Sequence, residues 1–74
     1  MFMKEVESST LKTVVYDKDQ EKMWLTFKSD ALYEYRAVPQ QLVKDLVDAE
    51  SKGKFFHENI KNKFDFEKVV EEEE

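Results

Sequence analysis

Between residues 10 and 37 the chain alternates apolar and polar positions in three short runs. Residues 10–16 (Thr-Leu-Lys-Thr-Val-Val-Tyr) are rich in β-branched side chains. Residues 23–27 place Met23, Leu25 and Phe27 on one side, and residues 32–37 set Tyr33, Tyr35 and Ala37 against Leu32, Glu34 and Arg36. Period-two alternation in such residue types is the pattern of half-buried strands. The polar stretch 17–21 and the turn Lys28-Ser29-Asp30 separate the runs, and connections this short predict an antiparallel meander. At Pro39 the period changes. Proline cannot donate to a sheet ladder but fits the first turn of a helix, and Leu42, Val43, Leu46, Val47 and Ala49 then recur every three or four residues. That spacing predicts a helix over 39–52 lying on the sheet, with Tyr33 and Tyr35 beneath it. Gly53, the single glycine, stands where a helix C-cap takes positive φ. A shorter helix is predicted over 54–62, with Phe56, Ile60 and either Phe55 or Lys63 turned inward. Phe64-Asp65-Phe66 reads as an extended end or a further strand.

The expected fold is therefore α+β: a three- or four-stranded antiparallel meander followed by two helices packed on one face. Residues 1–8 are expected to be a lead-in touching the domain through Val6 and Phe2, residues 9–66 the folded unit, and 67–74 an acidic, frayed tail. Alternation assigns Val14, Tyr16, Leu25, Phe27, Tyr33, Tyr35 and Ala37 to the helix side of the sheet. Thr13, Val15, Trp24, Thr26, Leu32, Glu34 and Arg36 fall on the other side. Val15, Trp24 and Leu32 would form an apolar patch there, and such a patch marks a partner surface. Either it is a homo-oligomer interface, or the segment 64–70 folds over it.

Seventy-four residues give one domain, which buries roughly 60% of its unfolded surface. Cysteine is absent, so neither disulfides nor thiolate metal sites are available, and aromatic burial or self-association must supply stability. No apolar run has the length of a membrane span, and the opening residues lack a signal-peptide core; a cytoplasmic location is expected, with no membrane partner. The net charge is −5, but residues 71–74 are all glutamate. Lys52, Lys54, Lys61 and Lys63 make residues 52–63 locally basic around His57.

Several residues, taken in order, resemble a known family. They are Ser8-Ser9, the run Val14-Val15-Tyr16-Asp17, Leu25-Thr26-Phe27, Tyr33-Glu34-Tyr35 and Val38-Pro39. Ala49-Glu50-Ser51-Lys52-Gly53-Lys54-Phe55-Phe56 and Ile60-Lys61-Asn62-Lys63-Phe64 complete the series. This resembles the KTSC domain, a module found at the C-terminus of some lysyl-tRNA synthetases and as small stand-alone bacterial and phage proteins, and the resemblance spans roughly residues 6–66. It implies the fold above and, through the synthetase association, RNA binding. The chain departs from the family at Asp30, where glycine is usual, and at His57, where asparagine is usual. Lys61 and Phe64 stand in place of arginine and tyrosine. A lysine at 61 keeps a point charge but loses a bidentate guanidinium.

Catalytic chemistry is not expected. One histidine, no cysteine and one glycine provide no nucleophile–base pair, phosphate loop or metal-ligand spacing, so no cofactor or metal is expected. The best polar group is Lys54, His57 and Lys61, spaced i, i+3, i+7 on the second helix. Basic side chains beside free helix amides suit a phosphate, although the same lysines also read as a solvated face with Glu58 paired to Lys54. Trp24, near Arg36, is the stacking candidate; its other reading is subunit packing. The expected function is a non-enzymatic binding module for a phosphate-bearing ligand, a nucleotide or short RNA, through Lys54, His57, Lys61, Arg36 and Trp24. In a phage-type protein such a module would sequester a nucleotide signal. The alternative is a protein-interaction module docking through the Val15/Trp24/Leu32 face.

Overall fold

Residues 1–69 are described by a computed structural model. Five strands, β1 (Phe2–Glu5), β2 (Leu11–Asp17), β3 (Lys22–Phe27), β4 (Leu32–Tyr35) and β5 (Phe66–Val69), form one sheet in the order β1-β2-β3-β4-β5. Every neighbouring pair is antiparallel. Helices α1 (Gln40–Asp48) and α2 (Lys52–Asn59) lie between β4 and β5 in the chain. The α+β class, the meander and the two following helices agree with the sequence reading.

The register fixes both faces. Lys4, Val14, Leu25, Tyr33 and Lys68 form one row, and Phe2, Tyr16, Met23, Tyr35 and Phe66 the next, on the same side of the sheet. The helices cover the middle of this side, where Val43, Leu46, Phe56 and Ile60 bury against Val14, Met23, Leu25 and Tyr35. Leu11 joins them although strict alternation from Thr13 would turn it outward. A register shift between Leu11 and Thr13 pairs Leu11 with Phe27, and this bulge at Lys12 reverses the side-chain parity. Before β2, the Ser8 hydroxyl accepts the amides of Thr10 and Leu11 at 3.1 and 3.3 Å and sets the entry into the strand.

Several boundaries differ from those read in the sequence. The expected lead-in contains β1, an edge strand with all four residues exposed. β4 stops at Tyr35; Ala37 is exposed, with φ 58°, instead of continuing the inner row. The chain must leave the sheet for the helix layer within three residues, and Val38 fills the core in its place. The Tyr16 hydroxyl donates to the Val38 carbonyl at 2.6 Å and ties this crossover to β2.

The first helix ends at Asp48, four residues early, because Ser51 starts a new one. The Ser51 side chain accepts the Lys54 amide at 3.3 Å as an N-cap, the role such a residue fills best. Gly53 consequently lies inside α2 and not at a C-cap, and its φ is not positive. Its reason is proximity: a Cβ there would stand 2.5 Å from Thr10 Oγ1. The second helix ends at Asn59, whose side-chain amide donates back to the Phe55 carbonyl at 3.2 Å, and Asn62 takes the left-handed conformation with φ 64°. The further strand is real but begins at Phe66. Glu67, Lys68 and Val69, read above as tail, pair with β4 and extend the sheet sideways instead of folding over its outer face. The remaining tail residues, 70–74, lie outside the described residues.

Candidate functional site

Because the two helices occupy the centre of the sheet, the β4–β5 side of the helix-bearing face stays open. Tyr35 lies opposite Phe66, and Tyr33 opposite Lys68, so two strands each contribute alternate residues to one floor. Phe66 packs nearly parallel to Tyr35, with centroids 5.7 Å apart and planes at 30°, and lies 5.9 Å from Tyr33. Phe56 from α2 stands edge-on to Tyr35 and Phe27 at 5.9 and 5.3 Å, and Phe27 stands edge-on to Tyr33. Such edge and offset contacts favour rigid ring positions. The five rings, with Ser29, Ala31, Lys61 and Asn62, line a cleft of about 320 Å³. Phe66 is 48% exposed and Tyr33 half-buried, whereas Tyr35 is buried. Lys61 and Lys68 are exposed beside the rings, and neither forms an ion pair among the described residues. Accessible rings with the Lys61 cation at their rim suit a flat ring that carries negative charge.

Burial pushes the Tyr35 phenol up to about 12, and Tyr33 beside it adds to the rise. A phenol that ionises later in the folded than in the unfolded chain stabilises the fold fully below its ordinary value near 10. That contribution is lost as the pH rises through about 12. Denaturant unfolding is therefore expected to show stability falling from pH 10 upward, with a shallower fall in Tyr35→Phe. An unchanged alkaline slope in Tyr35→Phe would contradict this. The Tyr16 phenol is raised likewise, by burial and by Glu21 and Asp17, and adds to the slope in the same direction.

The five residues expected to form the ligand site do not come together. Lys54 is exposed in the first turn of α2, and its amide is already taken by Ser51. His57 is exposed in the last turn. Lys61 lies beyond the end of α2, so Lys54, His57 and Lys61 are not one helical stripe. Of the five, Lys61 alone lines the aromatic cleft. Trp24 shares a row with Met3, Val15, Glu34 and Glu67 on the opposite face of the sheet. Arg36 is occupied: its Nε donates to Glu34 Oε2 at 3.0 Å and its Nη2 to Glu67 Oε1. The Arg36 hydrogen bond holds the Glu34 carboxyl below the usual carboxylate range despite partial desolvation, with Lys22 and the Trp24 indole assisting. Arg36 thus ties β4 to β5 at the sheet edge. Phe66 was not among the candidates; its only sequence signal was the Phe-Asp-Phe alternation.

The KTSC domain family model matches residues 7–64. The chain belongs to the KTSC domain family. A relative from Stutzerimonas stutzeri is 41% identical over 56 residues, covering 76% of this chain and 79% of that protein. A lysine--tRNA ligase of Nostoc punctiforme is 38% identical over 63 residues, which are 85% of this chain but 11% of the ligase. The crystal structure of a KTSC domain protein from Yersinia pestis superposes with a TM-score of 0.88 at 32% identity, covering 93% of this chain and 97% of that one. The family match contains β2 to β4 and both helices, while β1 and β5 flank it. In this KTSC domain no group of three metal-ligating side chains occurs among the described residues. No described helix is long and apolar enough to cross a membrane.

Proposed function

We propose that this KTSC domain is a non-enzymatic module that binds a base-bearing phosphate compound, a nucleotide or a single-stranded RNA segment, in the cleft between β4, β5 and the end of α2. The observation that carries the reading is the aromatic floor of Tyr33, Tyr35 and Phe66 with Lys61 on its rim. Exposed sheet aromatics stack unpaired bases irrespective of sequence, and a lysine beside them meets the phosphate as a point charge. A related segment within a lysine--tRNA ligase supports an RNA-containing ligand. A free nucleotide signal held stoichiometrically is the small-ligand form of the same reading.

Anisotropy titration of a short fluorescent single-stranded RNA, with AMP as competitor, tests it. Removing one stacking ring is worth about 1–3 kcal/mol per base, so Phe66→Ala is expected to weaken binding by about tenfold or more. Lys61→Glu should weaken it further and flatten the salt dependence, since a phosphate contact is lost. Trp24→Ala should leave binding unchanged. Binding lost in Trp24→Ala but kept in Phe66→Ala would transfer function to the outer sheet face, and with it the protein-docking alternative.

A further inference from the structure

The two open edges of the sheet are not equivalent. The β1–β2 ladder continues into a bond from the Val6 amide to the Lys12 carbonyl at 3.0 Å. Antiparallel ladders alternate hydrogen-bonded with non-hydrogen-bonded pairs. Phe2 and Lys4, paired with Tyr16 and Val14, therefore turn their backbone groups toward β2, and Met3 and Glu5 turn theirs to the open edge. At the other edge the Arg36 amide bonds the Asp65 carbonyl at 3.0 Å, so Phe66 and Lys68 are the residues of β5 with open backbone groups.

We infer that β1 pairs antiparallel with β1 of a second copy of this chain, about a two-fold axis at Met3, joining two five-stranded sheets into one of ten strands. Seam length and charge select this register, because an axis at Phe2 would pair only residues 1–3 of each copy. Centring on Met3 makes Met3 its own hydrogen-bonded partner and sets Phe2 opposite Lys4 of the second copy, on the helix-bearing face. Side chains approach closest in such a non-hydrogen-bonded pair, and a lysine beside a phenylalanine ring is attracted to it. Moving the axis to Lys4 opposes two lysines, and moving it to Glu5 opposes two glutamates; like charges directly opposite are unfavourable.

The same test excludes β5. Its self-pairings through open groups oppose Glu67 to itself, Lys68 to itself, or Asp65 to Glu67. Charges so placed are how natural sheets guard an edge. At β1 the four exposed residues include two apolar ones, Phe2 at 42% and Met3 at 71% exposure, and the Met3-centred register places no like charges opposite. A seam of residues 1–5 in each copy is short, so the dimer is weak and concentration-dependent, of the small-interface class.

The experiment is sedimentation equilibrium from micromolar to millimolar concentration on the full chain and on Met3→Pro. The Met3 amide points away from β2, so proline there spares the internal ladder but removes a donor the second copy needs. The wild type is expected to dimerise with rising concentration, and Met3→Pro to stay monomeric with an unchanged melting temperature. Oxidised single-cysteine variants give an independent readout, because the chain has no cysteine of its own. Hydrogen-bonded partners lie about 5.5 Å apart at Cα, within disulfide reach, so Met3→Cys should cross-link faster than Lys4→Cys. A monomer at every concentration, a dimer that survives Met3→Pro, or faster cross-linking at Lys4 would overturn the inference. A dimer that survives Met3→Pro yet is lost in Trp24→Ala would place the interface on the outer face.

Discussion

Leu25→Ala is expected to lower the melting temperature of the domain by about 10 °C or more. Leu25 is fully buried in the central strand, between Val14 and Tyr33 and beneath the helices. Truncating such a leucine removes its transfer energy and leaves a cavity, together about 2–5 kcal/mol. At 0.05–0.15 kcal/mol per residue, a chain of this length has a total of only about 4–11 kcal/mol. Since 1 kcal/mol moves the melting temperature of a small domain by roughly 4–8 °C, thermal denaturation followed by far-ultraviolet circular dichroism should show a fall of about 10 °C or more. A shift of less than about 3 °C would mean that the core is not centred where the register places it.

Gly53→Ala is the second large effect, and its sign is informative. In an exposed helix this change stabilises by about 1 kcal/mol. Here the new methyl would sit 2.5 Å from Thr10 Oγ1 and 3.1 Å from Thr10 Cβ. Both atoms belong to a β-branched side chain with little freedom, so α2 must move off the sheet, with a loss typical of overpacking, about 1–3 kcal/mol. Thr10→Ala in the Gly53→Ala background removes the nearer clash and should recover most of that loss, a coupling a double-mutant cycle reads directly. Stabilisation by Gly53→Ala alone would show that α2 does not approach β2 as closely as described.

These two positions also mark how far the sequence can be read. Leu25 was legible: it sits in a strict alternation, and the change of period at Pro39 announced the helix above it. The patch of Val15, Trp24 and Leu32 was legible for the same reason, and the structure adds Met3 and Val69 to that face. Gly53 was misassigned because two signals competed. A glycine after an apolar stripe suggests a C-cap, whereas Ser51 two residues earlier is an N-cap, and the glycine's actual reason is a contact with Thr10 far away in the chain. Leu11 was assigned to neither face, and its place in the core depends on a bulge that leaves no trace in residue types. β1 was missed because an edge strand with every residue exposed has no buried face to impose a period.

The candidate site was the least legible part. Its floor depends on β5 pairing with β4 across both helices, which brings Phe66 against Tyr35 from 31 residues away. No local pattern encodes that pairing. A stripe counted at helical spacing likewise assumed a helix running through Lys61, whereas α2 stops at Asn59.

Mapping the ligand by amide and side-chain NMR tests the central claim most directly: titrate isotope-labelled protein with a short single-stranded RNA and with AMP, and record which residues respond. The cleft predicts shifts at Tyr33, Lys61, Asn62 and Phe66, with the Trp24 indole resonance on the opposite face left unmoved. Shifts centred on Trp24, Val15 and Leu32, or no response at millimolar ligand, would contradict it.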